Sequence, residues 1–273
     1  MRFGFVLPTG DARTAADFAR EAEQAGWDGF FVSEPVWGID AWVSLAAAAM
    51  QTRAIRLGTL LTPLSRMRPW KLASESATLD ILSNGRLIVS VGLGALDTGF
   101  ESFGEVTDRK MRAELLDEGL DILTGLWKGQ PFSYTGKHYT IKETSFHPPP
   151  HPVQQPRIPI WVVGAWPREL SMRRAARYDG LLPAVMDEGK VRFGPPTFDE
   201  LHQMKAYMAA HRAPGVPFDI VIEGISPGDN SAQVADKVRP WADVGATWWI
   251  ESNWESTELQ SILKRIRQGP PRL

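Results

Sequence analysis

Three glutamates, Glu34, Glu223 and Glu251, each follow a short apolar run in the chain. The apolar runs predict strands, so each carboxyl group is expected at a strand end, where burial can raise its pKa and make it a general acid or base. As a pair, Glu223 and Glu251 would suit glycoside hydrolysis, in which two carboxyl groups flank the scissile bond. The alternative for each glutamate alone is an ion pair with an arginine or a cap on the following helix.

A second candidate is the sequence Gly92-Leu93-Gly94, which directly follows the apolar run of residues 87–91. That run is typical of a strand buried on both faces. Glycines carry no side chain and therefore let another backbone or a flat ligand approach closely. The third glycine of the dinucleotide-binding fingerprint is missing at its spacing, so a Rossmann site is not predicted. The alternative is an ordinary tight exit from a strand.

A third candidate is Gly164-Ala165-Trp166-Pro167-Arg168. We interpret it as a glycine turn before a helix N-terminus, where free backbone N–H groups bind anions and the arginine adds positive charge. A plain connection between a strand and a helix is the alternative.

Metal binding is not predicted, because the five histidines show no ligand spacing on a common face. His147 and His151 stand on either side of three prolines, which excludes a helical pair. Asp80, Asn84 and Arg86 are expected near the N-terminal ends of the predicted strands, away from the candidate site. There we expect an ion pair and a turn with a structural role.

These candidates depend on a regular alternation of predicted strands and helices. The predicted strands are residues 3–7, 28–33, 55–61, 87–91, 158–163, 179–183, 218–223 and 246–251. Eight strands alternating with helices favour an α/β fold closed into a (β/α)8 TIM barrel, with the active site at the C-terminal ends of the strands. Such barrels commonly have about 250 residues and form one domain, so residues 1–273 are expected to be a single domain.

One segment departs from the alternation. Around residues 130–157 a predicted β-hairpin, turning at Gly136-Lys137, leads into a proline-rich connector. We interpret it as an excursion from the barrel.

Composition excludes several classes of function. The net charge is −2, with no basic block, so neither nucleic acid nor a membrane surface is an expected partner. Cysteine is absent, which excludes disulfides and thiol chemistry. The apolar run after Met1-Arg2 is too short for a signal peptide, and the longest nearly apolar run, residues 41–50, is too short to span a bilayer. We expect a soluble, cytoplasmic protein.

Taken together, the motifs resemble the luciferase-like monooxygenase family, the flavin- or deazaflavin-dependent barrel oxidoreductases. The resemblance runs nearly from end to end in one order. The motifs that carry it are IRLGTLLTP at residues 55–63, LDILSNGR at 79–86, VGLG at 91–94, residues 100–104, LDEG at 116–119, LW at 126–127, PRIPIWV at 156–162 and RAARYDG at 174–180.

The resemblance implies reduced FMN or coenzyme F420 at the C-terminal mouth of the barrel, acting on a small organic substrate. Relatives often carry a bulge with a non-proline cis peptide bond under the cofactor ring, which maps near Leu60 and Leu61, with Thr62 following. The loop Gly92, Leu93 and Gly94, and the segment Gly164, Ala165 and Trp166 with Arg168, would flank the ring and its phosphate tail. A separate flavin or F420 reductase and a homodimer are the partners it implies.

The chain also departs from the family pattern. Many F420-using relatives have an Asp-His pair after strand two, where this chain has Glu34-Pro35, and the F420-dependent sugar dehydrogenases have a glutamate where it has Ala95. Sugar-phosphate dehydrogenation is therefore not favoured. Glu34 and Trp37 are the candidates for the substrate side. A barrel hydrolase using paired carboxylates and a flavin-binding protein without turnover are the other hypotheses.

Overall fold

The computed structural model describes residues 1–129, 131–145, 151–228 and 231–273. Its barrel strands are β1 Arg2–Leu7, β2 Gly29–Val32, β3 Arg56–Thr59, β4 Leu87–Gly92, β5 Ile160–Trp166, β6 Gly180–Asp187, β7 Asp219–Gly224 and β8 Trp248–Glu251. They pair in parallel and in chain order, and β8 returns to pair with β1. The sheet therefore closes, and the predicted (β/α)8 TIM barrel is confirmed.

A helix follows each barrel strand along the chain. The helices are α1 Ala12–Gln24, α2 Ala41–Gln51, α3 Pro69–Leu82, α4 Arg109–Lys128, α5 Glu169–Ala176, α6 Phe198–His211, α7 Ser231–Asp243 and α8 Leu259–Arg267. Asp40 caps α2 by accepting a 2.8 Å hydrogen bond from the backbone N–H of Val43. Asp11 caps α1 in the same way, accepting from the backbone N–H of Thr14 at 2.7 Å. Aspartate is a strong acceptor for this role.

The interior of the barrel is filled by aromatic side chains. Phe31 and Trp161 stack at 5.4 Å, and Trp161 and Trp248 meet edge to face at 5.2 Å. The guanidinium group of Arg2 lies 4.7 Å over the Trp248 ring at the N-terminal end. The barrel is therefore a packed core with a solid floor beneath its C-terminal mouth. A second, larger core lies between the strands and the helices.

At the N-terminal end of the barrel, Asp80 and Arg86 have structural roles, but they do not form the predicted ion pair. The buried Asp80 carboxylate accepts hydrogen bonds from the backbone N–H groups of Val153 and Gln154 at 2.8 and 3.1 Å. The buried Arg86 guanidinium donates instead to backbone carbonyls, including Ile55 at 2.9 Å and Ala49 at 3.0 Å. The two side chains thus have different partners, because each satisfies backbone groups of a neighbouring loop.

The predicted excursion contains the expected hairpin, with antiparallel strands Phe132–Thr135 and Thr140–Thr144. The hairpin is held to α4 by Glu118, whose carboxylate accepts from the N–H of Lys137 at 2.7 Å and of Tyr139 at 3.0 Å. Residue 130 and residues 146–150 lie outside the described residues. The prediction of a proline-rich connector, including His147, is tested only from His151 onward.

Strands β5 and β6 are longer than predicted and rise above the rest of the barrel. They pair from Trp161 with Gly180 up to Trp166 with Val185, and β6 then turns back into a short strand, Lys190–Arg192. The recorded pairs between β6 and β7 are only at the bottom, ending at Ile220 with Leu181. The upper part of β6 therefore follows β5, and the pairing between β6 and β7 ends below the mouth.

In the described ranges, the chain forms no helix both long enough and apolar enough to cross a membrane.

Candidate active site at the barrel mouth

The floor of the mouth consists of side chains that point inward from the strand ends. Leu60, Leu61 and Val163 pack against the inner aromatic core. A Cβ atom at Gly92 would lie 2.8 Å from Val163 Cγ2 and 3.1 Å from Leu61 Cδ2. A side chain at residue 92 would therefore crowd Val163 and Leu61 in the floor of the mouth, and glycine avoids this.

One side of the mouth is lined by small residues. Ala165 and Ala184 are paired across β5 and β6, and each lies two residues beyond a side chain of the inner core, Val163 and Leu182. Because side chains alternate along a strand, both alanines face the mouth. Together with Gly92 at the end of β4, they place side chains no larger than a methyl group at three consecutive strand ends, and we refer to this stretch as the recess.

The exit of β3 lies next to this recess. The peptide bond between Leu60 and Leu61 is cis, as the resemblance predicted. Thr62 and Pro63 then pair with the end of β4, and a short 3-10 turn, Leu64–Arg66, follows. The backbone after β3 is therefore fixed beside the glycine end of β4.

Glu34 is held behind this exit by several donors. The Thr62 hydroxyl lies 2.5 Å and the Trp42 indole nitrogen 3.3 Å from Glu34 Oε2, while an Arg66 guanidinium nitrogen is 3.9 Å from Oε1. The Thr62 hydroxyl is also 2.9 Å from the Thr59 hydroxyl. A hydroxyl has a single proton, so Thr62 donates either to Glu34 or to Thr59, whose own hydroxyl donates to the Ser90 carbonyl at 3.3 Å. Burial raises the pKa of Glu34, although the hydrogen bond from Thr62 and the charge of Arg66 oppose that rise.

The orientation of Glu34 differs from that expected of a residue contacting substrate. Phe30 and Val32, at alternate positions before it, belong to the core between strands and helices, and its partner Trp42 lies on α2. Only 9% of the Glu34 side chain is exposed. Glu34 thus ties the exits of β2 and β3 together from the helix side of the wall.

Trp37 lies on the rim rather than in the floor. Its side chain is 80% exposed, and it stacks at 6.5 Å and 24° on Phe103, which is 59% exposed. The two rings come from the loops after β2 and β4. They form an apolar edge over which a flat molecule could lie.

The glycine loop after β4 is held from below by a helix. Arg112 of α4, only 5% exposed, donates to the backbone carbonyls of Leu93 at 3.0 Å and Gly94 at 3.2 Å. Gly94 has a φ of +78°, and a Cβ atom there would lie 2.7 Å from Pro63 and 2.8 Å from the Phe100 ring. Gly94 is thus required by the turn and by packing, whereas Gly92 is the glycine that borders the mouth.

The segment at residues 164–168 is placed differently from the prediction. It was interpreted as a turn, but β5 continues through Trp166. A Cβ atom at Gly164 would clash with Leu181 and lie 3.0 Å from Met172 Sδ, so Gly164 lets α5 pack against the strand. Trp166 packs on the outer core. Of this segment, Ala165 faces the mouth, and Arg168 stands exposed at the N-cap of α5 without a side-chain capping bond.

Positive charge gathers above the recess. Arg109, at the start of α4, is half-buried, and its guanidinium group contacts Met186 Sδ at 3.8 Å. Burial, together with the neighbouring cations Arg168 and Arg174, lowers the pKa of Arg109. Arg174 is paired with Asp117 at 2.5 Å. Arg109 and Arg168 therefore form a cationic edge beside the N-terminus of α5, a combination that favours a phosphate or another anion.

The carboxyl pair proposed for hydrolysis is not brought together. Glu251 points away from the mouth: its carboxylate lies 3.2 Å from an Arg265 guanidinium nitrogen and accepts from the Ser226 hydroxyl at 2.6 Å. Glu223 follows Val221, a member of the inner core, and therefore faces the mouth. The two glutamates lie on opposite sides of the barrel wall, which contradicts a hydrolase that uses them as a pair.

Several residues at the mouth were missed by sequence reasoning: Arg66, Arg109, Arg112, Ser252 and Trp254. Arg109 and Arg112 begin the helix after the glycine loop, and the N-termini of barrel helices lie at the C-terminal ends of the strands. That position was a usable signal for a cationic site. For Arg66, Ser252 and Trp254 no comparable signal exists, because their roles depend on how separate loops meet.

No group of three or more histidine, aspartate or glutamate side chains close enough to hold a metal ion occurs in the part of the chain that the structure describes.

Comparison with known proteins places this geometry in a family. The model of the luciferase-like monooxygenase family matches residues 1–266. An uncharacterised protein of Mycobacterium tuberculosis is 32% identical over 273 residues, which cover 90% of each chain. Among solved structures, the coenzyme F420-dependent tetrahydromethanopterin reductase of Methanopyrus kandleri superimposes with a TM-score of 0.78 at 16% identity, covering 98% of this chain and 97% of that one.

A further solved structure is the oxygenating constituent of 3,6-diketocamphane monooxygenase of Pseudomonas putida, in complex with FMN. Its TM-score is 0.63 at 23% identity, and the match covers 82% of this chain and 67% of that one. At such identities the solved structures establish the fold alone. The fold defines a (β/α)8 barrel protein in class, and the family match is more specific: the chain belongs to the luciferase-like monooxygenase family.

Proposed function

We propose that the protein is an oxidoreductase that uses reduced FMN or coenzyme F420 at the barrel mouth and acts on a small organic substrate. The observation that carries the proposal is the recess beside β4, β5 and β6, which has an apolar floor and a cationic edge. That combination suits a planar tricyclic ring joined to a phosphate tail.

The residues present fit such a cofactor. Leu61, Gly92 and Val163 would support the ring, since the three pack closely together at the floor of the mouth. Arg109 and Arg168 would hold the phosphate, because Arg109 has no anionic partner recorded among the described residues. When bound, the cofactor supplies hydride transfer or, with reduced FMN, oxygen activation.

The remaining work falls to the protein's own side chains. Glu34 keeps the exits of β2 and β3 in place through Thr62 and Arg66. Trp37 and Phe103 would cover the substrate from the rim and exclude water from it. Arg112 holds the glycine loop against the ring position by its two carbonyl contacts.

No single residue at the mouth identifies whether FMN or F420 is the cofactor. Relatives of both kinds exist, one with F420 and one with FMN in their names. The FMN relative is named as an oxygenating constituent, which supports a separate reductase as a partner if FMN is the cofactor.

The test is titration of the purified protein with oxidised FMN and with F420, followed by fluorescence. We expect one of the two to bind, and Ala184→Phe to weaken that binding by at least about 100-fold, because the new ring fills the recess. Ala210→Phe, on the exposed face of α6, is the matched control and should bind as the wild type does. Circular dichroism checks that both variants fold.

Binding of neither cofactor by the wild-type protein would refute the proposal, and unchanged binding by Ala184→Phe would remove the recess from the site. Turnover with oxygen or an electron acceptor then separates an enzyme from a flavin-binding protein without activity.

A further inference from the structure

The side chain of Glu223 occupies an unusual position at the mouth. It lies two residues beyond Val221, which is part of the inner core, so it faces the same space as the proposed cofactor recess. Its carboxyl group accepts a 3.1 Å hydrogen bond from the indole N–H of Trp254 and another from the Ser252 hydroxyl. Both donors belong to the loop after β8. Among the described residues, no cation is paired with this carboxyl group.

The other two strand-end glutamates differ in this respect. Glu251 has Arg265 at 3.2 Å, and Glu34 has Arg66 at 3.9 Å. A carboxylate that is removed from water without a cation is costly, and two neutral donors offset only part of that cost. Desolvation accordingly raises the pKa of Glu223, with the hydrogen bonds from Trp254 and Ser252 acting in the opposite direction. Among the described residues, Glu223 is therefore the strand-end glutamate that faces the mouth without a cation beside it, and its pKa is raised.

Glu223 lies beyond the paired part of β6 and β7. The recorded pairs between β6 and β7 end at Ile220 with Leu181, below the level of Glu223. Counting along both strands from that pair places Glu223 level with Ala184, which borders the recess. A molecule bound at the recess would thus lie beside the carboxyl group of Glu223.

We propose that Glu223 is the catalytic acid of this site and gives its proton to a basic oxygen or nitrogen atom of the bound substrate. In that step the carboxyl O–H bond breaks and an O–H or N–H bond forms on the substrate, which gains one proton while Glu223 gains one negative charge. The electrons that the cofactor supplies take no part in it. Trp254 and Ser252 stabilise the carboxylate left behind, and water at the barrel mouth returns the proton after the substrate has left. This inference rests on the proposed function, because it takes the substrate to lie beside the recess.

Trp254 is a positioning residue in this arrangement. Its ring is 40% exposed while its N–H is directed at the carboxyl group. The indole therefore fixes the direction of the acid without closing the mouth, and the second donor, Ser252, supports it from within.

The first test uses the protein without cofactor. Difference infrared spectroscopy at neutral pH should show a band from protonated carboxyl groups that decreases in Glu223→Gln. Glu255→Gln, an exposed carboxyl group one residue from Trp254, is the matched control and should leave the band unchanged. An unchanged band in Glu223→Gln overturns the proposal, because the group would then be ionised in the resting protein.

The second test uses the protein loaded with oxidised FMN or F420 and the probe 4-nitrophenolate, an oxygen base whose colour is lost on protonation. At a pH where the free probe is ionised, the wild type and Glu255→Gln should bleach the bound probe, and Glu223→Gln should not. Ser252→Ala and Trp254→Phe, which remove a donor to the carboxylate, should bleach it several-fold less. These two variants keep the test decisive if Glu223→Gln fails to fold.

Bleaching by Glu223→Gln, or no bleaching by any form, overturns the assignment of Glu223 and leaves the proposed function standing. Failure of the wild-type protein to bind either cofactor overturns the proposed function, and with it this inference.

Discussion

At the scale of single residues, the mouth separates glutamates that looked alike in the sequence. Glu34 is bound by a hydroxyl, an indole and a guanidinium group, and Glu251 by Arg265 and Ser226. Glu223 alone among the three faces the mouth with neutral donors only. The role of each glutamate depends on whether its strand places the side chain on the inner or the outer side of the barrel wall. The side is set by the register at each strand end.

A prediction at this scale concerns the pH dependence of stability. Burial raises the pKa of Glu34 above its usual value of 4.5. Between 4.5 and the raised value, the folded chain binds more protons than the unfolded chain, so the free energy of unfolding falls as pH rises through that window. Below 4.5 the carboxyl group is protonated in both states and contributes no slope.

In Glu34→Gln the free energy of unfolding should therefore fall less steeply as pH rises above 4.5. Its dependence on pH below 4.5 should be the same as in the wild type. The largest effect of one group is about 1.4 kcal/mol per pH unit. Because the pKa of Glu223 is raised in the same direction, the variant removes only part of the slope. Denaturant unfolding at a series of pH values measures it, with Glu255→Gln as the control. A slope as steep in Glu34→Gln as in the wild type would contradict the assignment.

At the scale of elements, α4 does more than cover the barrel. Its first turns carry Arg109 to the cationic edge and Arg112 to the carbonyl groups of the glycine loop. The helix and the loop are consecutive in the chain, and the cap at Asp108 fixes where the helix begins. A shift of that start by one residue would move both arginines away from their partners.

Arg112→Met is predicted to loosen the glycine loop while the barrel remains folded. The variant keeps most of the apolar side-chain volume but leaves the carbonyls of Leu93 and Gly94 without their donor, and an unpaired buried carbonyl costs about 1–3 kcal/mol. Hydrogen exchange in residues 93–104 should quicken, and cofactor binding should weaken by roughly tenfold, about 1.4 kcal/mol. Lys110→Met, on the exposed face of the same helix, is the control. Equal exchange and affinity in the two variants would show that the loop holds its shape without Arg112.

The order of the strands and helices could largely be predicted from the sequence. Apolar runs, glycines and aspartate caps gave the order of strands and helices, because these signals are local. The extension of β5 and β6 above the barrel was missed, since it depends on pairing between Trp166 and Val185 that no local pattern reveals. For the same reason Gly164 was taken for a turn, whereas it is a close contact between β5 and α5.

The candidate site was less predictable than the fold. The cis bond at Leu60-Leu61 followed from the resemblance and is present, and the position of Gly92 at a strand end followed from the apolar run before it. The contacts of Arg112, and the way Trp254 meets Glu223, join segments far apart in the chain. Sequence spacing carries no information about them.

At the scale of the whole molecule, helices α2 and α3 expose several large apolar side chains. Helix α2 carries no charged residue, and its side chains Val43 and Met50 are 61% and 68% exposed. Trp70, Ile81 and Leu82 of the neighbouring α3 are also exposed. An apolar surface of this kind on two adjacent helices is typical of a protein–protein interface, and it supports the predicted homodimer.

We predict that sedimentation will show a dimer for the wild-type protein and a monomer for the double variant Val43→Glu with Met50→Glu. Two carboxylates in the centre of an apolar contact lose their hydration without gaining partners. Leu170→Glu, an equally exposed apolar position on α5, should remain dimeric. A monomeric wild type, or a dimeric double variant, would remove α2 from any interface.

The aromatic rings that fill the barrel axis have a consequence for kinetics. With Phe31, Trp161 and Trp248 blocking any passage from below, everything that binds must come and go on one side. Whichever ligand lies deeper has to arrive first and depart last, so binding should be of compulsory order, and an excess of the outer ligand should trap the inner one in place.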